Sequence, residues 1–127
     1  DFQYSIDGSK FYLLDGSANI IYQYSVSPSF VETGITYDSV TLSVPGSSPR
    51  TITFTDDGKQ LFVGYYSTNE IKKYNLSTPW DISSGTLHST VSLAGTVDGV
   101  YGLEYINGKL FVLAVTTDTI YQYTLNT

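Results

Sequence analysis

The stretch TITFTDDGKQLFVGYYSTNEIKKYNLSTPWDIS (residues 51–83) carries three short apolar runs separated by two polar segments. The first polar segment contains Asp57-Gly58, and such a dipeptide between apolar runs is a strong signal for a two-residue type I′ hairpin turn. The stretch therefore predicts one strand on each side of the turn, strands A and B. It also predicts a third antiparallel strand, strand C, over EIKKYNL (70–76).

The same pattern recurs along the whole chain. Tyr24, Tyr74 and Tyr123 hold the same place in three copies, at spacings of 74 − 24 = 50 and 123 − 74 = 49. An alternating run after strand C, DSVTLSV (38–44) or TLHSTVSL (86–93), predicts an outer strand D. Each copy also has a turn dipeptide upstream: Asp7-Gly8, Asp57-Gly58 and Asn107-Gly108.

This repeat predicts the fold. One small sheet cannot bury both of its faces, and four antiparallel strands per repeat are typical of a β-propeller blade, which stacks on its neighbours. We predict an all-β chain in which residues 1–127 form one partial propeller domain of about three blades. The repeats are approximately 1–48, 49–98 and 99–127, and the third lacks its outer strand. A β-sandwich or another stacked β-repeat array is the alternative.

The composition argues against several function classes. The formal net charge is −6 and the 6 basic residues are scattered, whereas nucleic-acid binding needs a basic patch. No apolar run is long enough to span a bilayer, so we expect no membrane insertion. Cysteine is absent, which rules out disulfides and thiolate metal sites. Because methionine is absent even at position 1, we expect a processed protein, a trimmed chain or a segment of something longer.

Residues that could support catalysis are few. His88 is the single histidine, and we expect it to face solvent in the predicted strand D. The carboxylates of Asp7 and Asp57 are explained by their turns, and that of Asp81 by capping of a tight linker. We therefore predict no catalytic residue, no metal site and no cofactor. A glycoside-active enzyme with paired carboxylates is the least favoured alternative.

Two sets of residues are candidates for a structural or a binding role. Trp80 lies in the connection that leaves strand C, and it aligns with Phe30 of the first repeat (80 − 30 = 50). An aromatic residue at the same place in successive repeats predicts a structural plug between blades. Ligand binding is predicted where residues break the repeat near the axial end, since tyrosine offers flat amphipathic contact area. These residues are Arg50, Tyr65, Tyr66 and Tyr101.

The segments FTDDGKQLFV (54–63) and EIKKYNLSTPWDISSGT (70–86) resemble a repeat of β-propeller proteins from bacteriophages and marine viruses. In the first copy SPSFVE replaces STPWDI, a departure from the pattern. The resemblance implies a propeller in a virion or tail-associated setting, without catalytic residues. We expect a non-enzymatic binding or structural module, virion-associated or extracellular, that contacts proteins or surface glycans. A carbohydrate-binding lectin is the alternative.

The number of blades predicts partners. Propellers typically close with 4–8 blades, so three blades leave two sheet faces open. We expect apolar residues on these open faces, among them Ile21, Tyr24, Ile120 and Tyr123. Burial of such a patch predicts a homodimer whose two arcs form a six-bladed ring, and further blades of a parent polypeptide are the alternative. Either ring is expected to take a glycan or protein ligand.

Overall fold

The computed structural model describes residues 1–125, which contain eleven β-strands and two short 3₁₀ helices, Glu32–Gly34 and Ile82–Ser84. The first sheet contains β1 (Phe2–Tyr4), β2 (Lys10–Asp15), β3 (Ile20–Val26) and β4 (Ile35–Ser43). The second contains β5 (Pro49–Phe54), β6 (Gln60–Tyr65), β7 (Glu70–Leu76) and β8 (Gly85–Ser92). The third contains β9 (Val100–Ile106), β10 (Lys109–Ala114) and β11 (Thr119–Thr124).

Each sheet is an antiparallel meander whose strands follow the order of the sequence. We call the sheets blades 1, 2 and 3, and their strands A to D in chain order. For residues 1–125, the predicted succession of two four-stranded units and one three-stranded unit is confirmed. Over the same residues, no helix has the length and apolar character needed to cross a membrane.

The blades stack face to face because successive side chains of a strand point to opposite sides of its sheet. In β6, Leu61 and Val63 pack against blade 1, whereas Phe62 between them packs against blade 3. All three side chains are at most 4% exposed. Two cores therefore hold the arc together, one between blades 1 and 2 and the other between blades 2 and 3.

Hydrogen bonds also join the first strands of the three blades. The Thr51 hydroxyl of β5 accepts a hydrogen bond from the backbone N–H of Leu103 in β9 at 2.9 Å. The Thr53 hydroxyl likewise accepts one from the Tyr105 N–H at 3.1 Å. The Asp1 carboxylate accepts one from the Ile52 N–H at 2.9 Å. These contacts hold the A strands side by side along the inner edge of the arc.

The turns between strands A and B correct part of the prediction. A two-residue turn with positive φ at both central residues is present only at Asn107-Gly108, with φ values of 49° and 77°. The loop around Asp57-Gly58 is longer, since Phe54 pairs with Leu61. There the Asp57 carboxylate accepts hydrogen bonds from the Thr55 hydroxyl and the Lys59 N–H. These bonds favour a wider loop, and the type I′ prediction for Asp7-Gly8 and Asp57-Gly58 is wrong.

The two predicted plug residues differ in their surroundings. Trp80 is half-buried, with its ring 5.3 Å from that of Phe54, and its backbone carbonyl accepts a hydrogen bond from the Tyr12 hydroxyl of blade 1. Phe30 is 55% exposed and packs on Tyr4 of its own blade at 5.4 Å. The prediction that Phe30 is a plug buried between blades is therefore wrong. The cause is geometric, because blade 1 lies beside the Trp80 connection and no described blade lies beside the Phe30 connection.

The open faces also differ from the prediction in part. Ile21 is fully buried in the core between blades 1 and 2, and Tyr123 packs into the contact between blades 2 and 3. Tyr24 lies on the open face of blade 1, and Ile120 is 68% exposed on blade 3. Ile21 and Ile120 hold the same repeat position, which faces the next blade, but only Ile21 has a next blade among residues 1–125.

Candidate functional site

A polar groove of about 400 Å³ runs along the inner edge of the arc, where the three A strands lie. Blade 1 contributes Asp1 and Gln3, blade 2 contributes Arg50 and Thr51, and blade 3 contributes residues 101–104. Its mouth is at the N-terminal ends of β5 and β9. The groove is thus built jointly by all three blades.

Two β-bulges aim side chains at the mouth of this groove. In β5, Pro49 pairs with Tyr65 and Thr51 with Gly64, so Arg50 is the extra residue. In β9, Tyr101 is the extra residue in the same way, between Val100 and Gly102. A bulge interrupts the regular alternation and re-aims a side chain. This explains why two large residues of inner strands are exposed at the groove mouth.

Arg50, Tyr66 and Tyr101 form one cluster. The Arg50 Cζ lies 5.6 Å from the ring centroid of Tyr66 and 5.6 Å from that of Tyr101. The two rings are 6.2 Å apart and nearly perpendicular, at 87°. Both distances from the guanidinium to a ring centroid are in the range of cation–π contacts. Within residues 1–125, no carboxylate is at salt-bridge distance from this guanidinium.

The loop between β6 and β7 holds Tyr66 in place. Asn69 at its end has a φ of 52°, a conformation that asparagine tolerates better than most residues. Its side-chain oxygen accepts a hydrogen bond from the Gly99 N–H at 2.8 Å. A Cβ added at Gly99 would lie 3.3 Å from the Tyr66 ring. Tyr66 is therefore packed against the connection that leads into β9.

Tyr65 does not belong to this cluster. Its side chain is fully buried between blades 1 and 2, and its hydroxyl donates a hydrogen bond to the Val44 carbonyl at 3.0 Å. The Lys72 ammonium lies 4.8 Å from its ring centroid. Tyr65 is the last residue of β6 and continues the buried alternation of Leu61 and Val63. Its predicted role as an exposed ligand contact is wrong.

The sequence is not matched by any family model or by any curated protein. Solved structures are similar in fold. The Cps50 (Swd1) β-propeller domain of Myceliophteria thermophila superposes with a TM-score of 0.72 at 12% identity, over 99% of this chain and 40% of that one. A functionally unknown protein from Desulfotomaculum acetoxidans gives 0.72 at 15% identity, over 98% and 39%. Saccharomyces cerevisiae Sqt1 gives 0.56 at 15%, over 91% and 27%.

The chain has a β-propeller fold. It spans about 40% of the first of these structures and 39% of the second, so it corresponds to part of a propeller ring. In this fold the blades surround a central channel, and here the A strands are the ones that contact one another from blade to blade. The groove that they line is therefore on the axial side of the ring.

Two carboxylates of the axial groove were missed by sequence reasoning. Glu104 holds the repeat position of Gln3 and Thr53, as the strand pairing shows. Desolvation in the groove raises the pKa of Glu104, and a hydrogen bond from Gln3 acts in the opposite direction. The Asp1 carboxylate accepts hydrogen bonds from the hydroxyl of Thr51 and the N–H of Ile52. An acidic residue where the other repeats have neutral ones was the available signal for Glu104.

Other polar residues have structural surroundings. His88 is exposed in β8, where it is the extra residue of a bulge between Leu87 and Ser89, which confirms its predicted location. Asp38 pairs with the Lys10 ammonium at 3.1 Å and also accepts hydrogen bonds from Gln23 and Ser25. Over residues 1–125, no group of three or more histidines, cysteines and carboxylates is arranged to hold a metal ion.

Proposed function

We propose that this chain is a non-enzymatic binding module that takes an extended polypeptide segment in its axial groove. One observation carries the proposal. The Arg50 guanidinium is held between two tyrosine rings at the groove mouth, and its N–H donors have no carboxylate partner within residues 1–125. A guanidinium held in this way is suited to a carboxylate or a carbonyl of a bound partner.

The remaining groove favours a polypeptide as the ligand. Arginine and tyrosine are enriched at the centres of protein interfaces, where they contribute much of the binding energy. Asp1 and Glu104 add carboxylates to the groove wall. An extended peptide presents both N–H donors and carbonyl acceptors, so it matches a groove with Arg50 at one end and carboxylates further in.

Panning a library of random peptides against the chain tests this function. We expect enriched peptides to carry an acidic residue and to bind the variants Arg50→Ala and Tyr101→Ala at least about tenfold more weakly. Lys59→Ala is the matched control, because Lys59 is an exposed cation in the loop at the opposite end of β5. Enriched peptides that bind Arg50→Ala as tightly as the wild type would contradict the proposal.

Sugars are the second class of ligand to be tested. Tyr66 and Tyr101 present aromatic faces at the groove mouth, and aromatic faces also bind sugars. Selective binding on a glycan array that is lost in Tyr101→Ala would replace the peptide with a surface glycan and make the chain a lectin. Turnover of chromogenic glycosides that is lost in Glu104→Gln would instead support an enzyme with Glu104 as its acid.

We further propose a virion-associated or extracellular setting and a completed ring. The setting rests on the resemblance of residues 54–63 and 70–86 to viral propeller repeats, and detection of the chain in purified particles or culture medium tests it. The ring rests on the exposed apolar side chains of the end blades, such as Phe30 and Ile120. A second copy of the chain is the partner we propose, with further blades of a parent polypeptide as the alternative.

A further inference from the structure

A second polar pocket, of about 320 Å³, lies beside the mouth of the axial groove, between blades 1 and 2. It is lined by Gly16, Ser17, Ser48, Pro49 and Arg50, and we call it the Gly16 pocket. Gly16, Pro49 and Arg50 also line the axial groove, so the two cavities adjoin there. Blades 1 and 2 are both four-stranded sheets that pack on each other. The pocket therefore lies inside the arc and not on one of its open faces.

Gly16 keeps this pocket open, because it occupies a position that holds a large side chain in the next blade. It corresponds to Tyr66 of blade 2 in the strand pairing and in the repeat (66 − 16 = 50). Tyr66 fills the space beside the bulge residue Tyr101, with 6.2 Å between the ring centroids. Beside the bulge residue Arg50 the corresponding space is open. A Cβ added at Gly16 would lie 2.7 Å from the Pro49 carbonyl oxygen, so the close approach of the two backbones excludes a side chain there.

Three side chains of the Gly16 pocket hold hydrogen-bond donors that no group within residues 1–125 accepts. The Arg50 guanidinium carries N–H donors on every nitrogen, and it contacts tyrosine rings rather than an acceptor. The Ser48 hydroxyl accepts a hydrogen bond from the Ser67 hydroxyl at 3.0 Å, so its own proton is available to another partner. The Ser17 hydroxyl is exposed and has no partner in the same range. Because all three line one pocket, one ligand can accept from all of them.

The pocket differs from the axial groove in its charge. None of its lining residues is acidic, whereas Asp1 and Glu104 line the groove. Asp15 precedes Gly16 in the chain, but its carboxylate accepts hydrogen bonds from the backbone N–H groups of Ser17 and Ala18 at 2.9 and 3.0 Å. That carboxylate is therefore bound within its own loop. The Gly16 pocket thus offers a ligand one positive charge and hydroxyl donors, which favours an anion.

The number of donor groups favours a phosphate over a carboxylate. A carboxylate has two oxygen atoms, and the fork of one arginine side chain can satisfy both of them. A phosphate monoester has three terminal oxygen atoms and carries a charge of about −1.5 to −2 at pH 7. The hydroxyls of Ser17 and Ser48 provide donors in addition to the Arg50 fork. A phosphate therefore uses the whole donor set of the pocket, and a carboxylate uses only part of it.

We propose that the Gly16 pocket binds the phosphate group of a phosphorylated serine or threonine in the peptide segment that occupies the axial groove. The proposal rests on the proposed function and specifies its ligand. The Arg50 guanidinium donates to two phosphate oxygens while it stays packed on Tyr66 and Tyr101. The hydroxyls of Ser17 and Ser48 donate to the phosphate from the other walls of the pocket. Gly16 sets the specificity, because a side chain in its place would occupy the phosphate site.

Short peptides test the pocket apart from the groove. Blocked tripeptides with phosphoserine, glutamate or serine at the centre are titrated into the isotope-labelled intact chain, and NMR follows the Arg50 side-chain N–H signal. These probes are too short to fill the axial groove, so their binding does not depend on a longer peptide being the ligand. We expect saturable binding of the phosphoserine tripeptide, at least about fivefold tighter than that of the glutamate tripeptide. The serine tripeptide should leave the signal unchanged.

Variants of the chain localise the binding. Ser17→Glu places a carboxylate in the pocket and should weaken phosphoserine binding at least about tenfold, since like charges repel at this distance. Ser17 is exposed, so the variant is expected to fold. Thr86→Glu is the matched control, because Thr86 is exposed on the outer strand β8 and its replacement adds the same charge. Ser48→Ala removes one hydroxyl and should reduce the preference for phosphoserine over glutamate. Thermal melts verify that all three variants fold.

The outcomes separate this proposal from the function on which it rests. Equal affinity for the phosphoserine and glutamate tripeptides would overturn the phosphate site, as would unchanged phosphoserine binding in Ser17→Glu. Neither result would affect a peptide that binds the groove through a carboxylate, which the library panning measures independently. Phosphoserine binding in a chain that enriches no peptide would support the phosphate site and contradict the peptide groove. Inorganic phosphate that binds as tightly as the phosphoserine tripeptide would overturn the phosphopeptide in favour of a free anion.

Discussion

At the scale of single residues, two glycines of the A–B turns have the same backbone conformation but different neighbours. Gly58 has a φ of 69° and Gly108 a φ of 77°, both in the left-handed region. A Cβ added at Gly58 would lie 2.4 Å from the Trp80 ring. A Cβ added at Gly108 would meet nothing within 4 Å. The pair therefore separates the cost of the backbone conformation from the cost of the aromatic contact.

We predict that Gly108→Ala lowers the free energy of unfolding by about 1 kcal/mol, the cost of a left-handed alanine. Gly58→Ala is expected to lower it by roughly 2–4 kcal/mol, because the added methyl group must also displace the indole. Urea denaturation followed by circular dichroism measures both values. In a Trp80→Ala background the excess cost at Gly58 should disappear. Equal losses for the two single variants would contradict the packing of Trp80 on this turn.

Tyr65 and Tyr66 show how far residue-level prediction reaches. The sequence places both at the end of strand B, and the same aromatic chemistry is available to each. Tyr65 is fully buried, whereas Tyr66 joins the Arg50 cluster. Strand alternation decides between them, but only if the last residue of β6 is known. The bulge at Arg50, which opens the mouth of the groove, depends on pairing between β5 and β6 and has no local sequence signal.

At the scale of elements, the A–B loop of blade 1 is organised by the Asp7 carboxylate. It accepts hydrogen bonds from the Ser9 N–H at 3.0 Å, the Ser9 hydroxyl at 2.7 Å and the Ser5 hydroxyl at 2.7 Å. These bonds, that of the Ser9 N–H foremost, lower the pKa of Asp7 from 3.8 to about 2. The ionised carboxylate is thus favoured in the folded loop.

We predict that this carboxylate stabilises the fold in a pH-dependent way. Its contribution is present above the ordinary pKa of 3.8 and is lost as the pH falls through about 2. Asp7→Asn should therefore be less stable than the wild type at pH 7, by less than about 1 kcal/mol because solvent screens the exposed group. The difference should shrink between pH 4 and pH 2 in urea denaturation. Asp56→Asn controls for net charge, and a pH-independent difference would contradict the prediction.

Strands were predicted more completely than turns, for a physical reason. Alternation and the repeat period depend on side chains every second residue, and both persist through each blade, so β5, β6 and β7 follow from residues 51–76. The turns depend on which hydrogen bonds form locally. Asn107-Gly108 forms the tight turn, while Asp57-Gly58 lies in a wider loop because Thr55 and Lys59 donate to the Asp57 carboxylate. The dipeptides alone do not distinguish the two loops.

At the scale of the whole molecule, burial depends on which blade has a neighbour. Ile21, Ile71 and Ile120 occupy one repeat position that faces the next blade. Their exposed fractions are 0%, 6% and 68%. The period predicts their equivalence, but the exposure of Ile120 follows from the position of its blade in the arc. Phe30 and Trp80 also share one repeat position, on the side of the preceding blade. Their burial differs because only Trp80 has a preceding blade within residues 1–125.

The two open faces are complementary by the geometry of the repeat. Leu113 and Ile120 of blade 3 occupy the positions through which Leu14 and Ile21 of blade 1 pack against blade 2. Phe11 on the open face of blade 1 holds the position of Leu61, which faces blade 1 in the observed contact. Blade 3 of one copy can therefore pack on blade 1 of a second copy. This contact would have the geometry of the contact between blades 1 and 2 within one copy. Two such contacts between two copies close a head-to-tail ring.

We predict that the chain forms a dimer in solution, with a mass near 2 × 14.0 = 28.0 kDa by light scattering at micromolar concentration. Ile120→Lys should shift the mass toward 14.0 kDa, because it places an ammonium group where apolar surface is to be buried. Leu87→Lys is the control, since Leu87 is 52% exposed on the outer strand of the middle blade and its replacement should leave the dimer intact. A wild-type mass of 14.0 kDa at these concentrations would contradict self-association. In that case blades from another polypeptide would be needed to bury Ile120. Ile120→Lys would disrupt that contact as well.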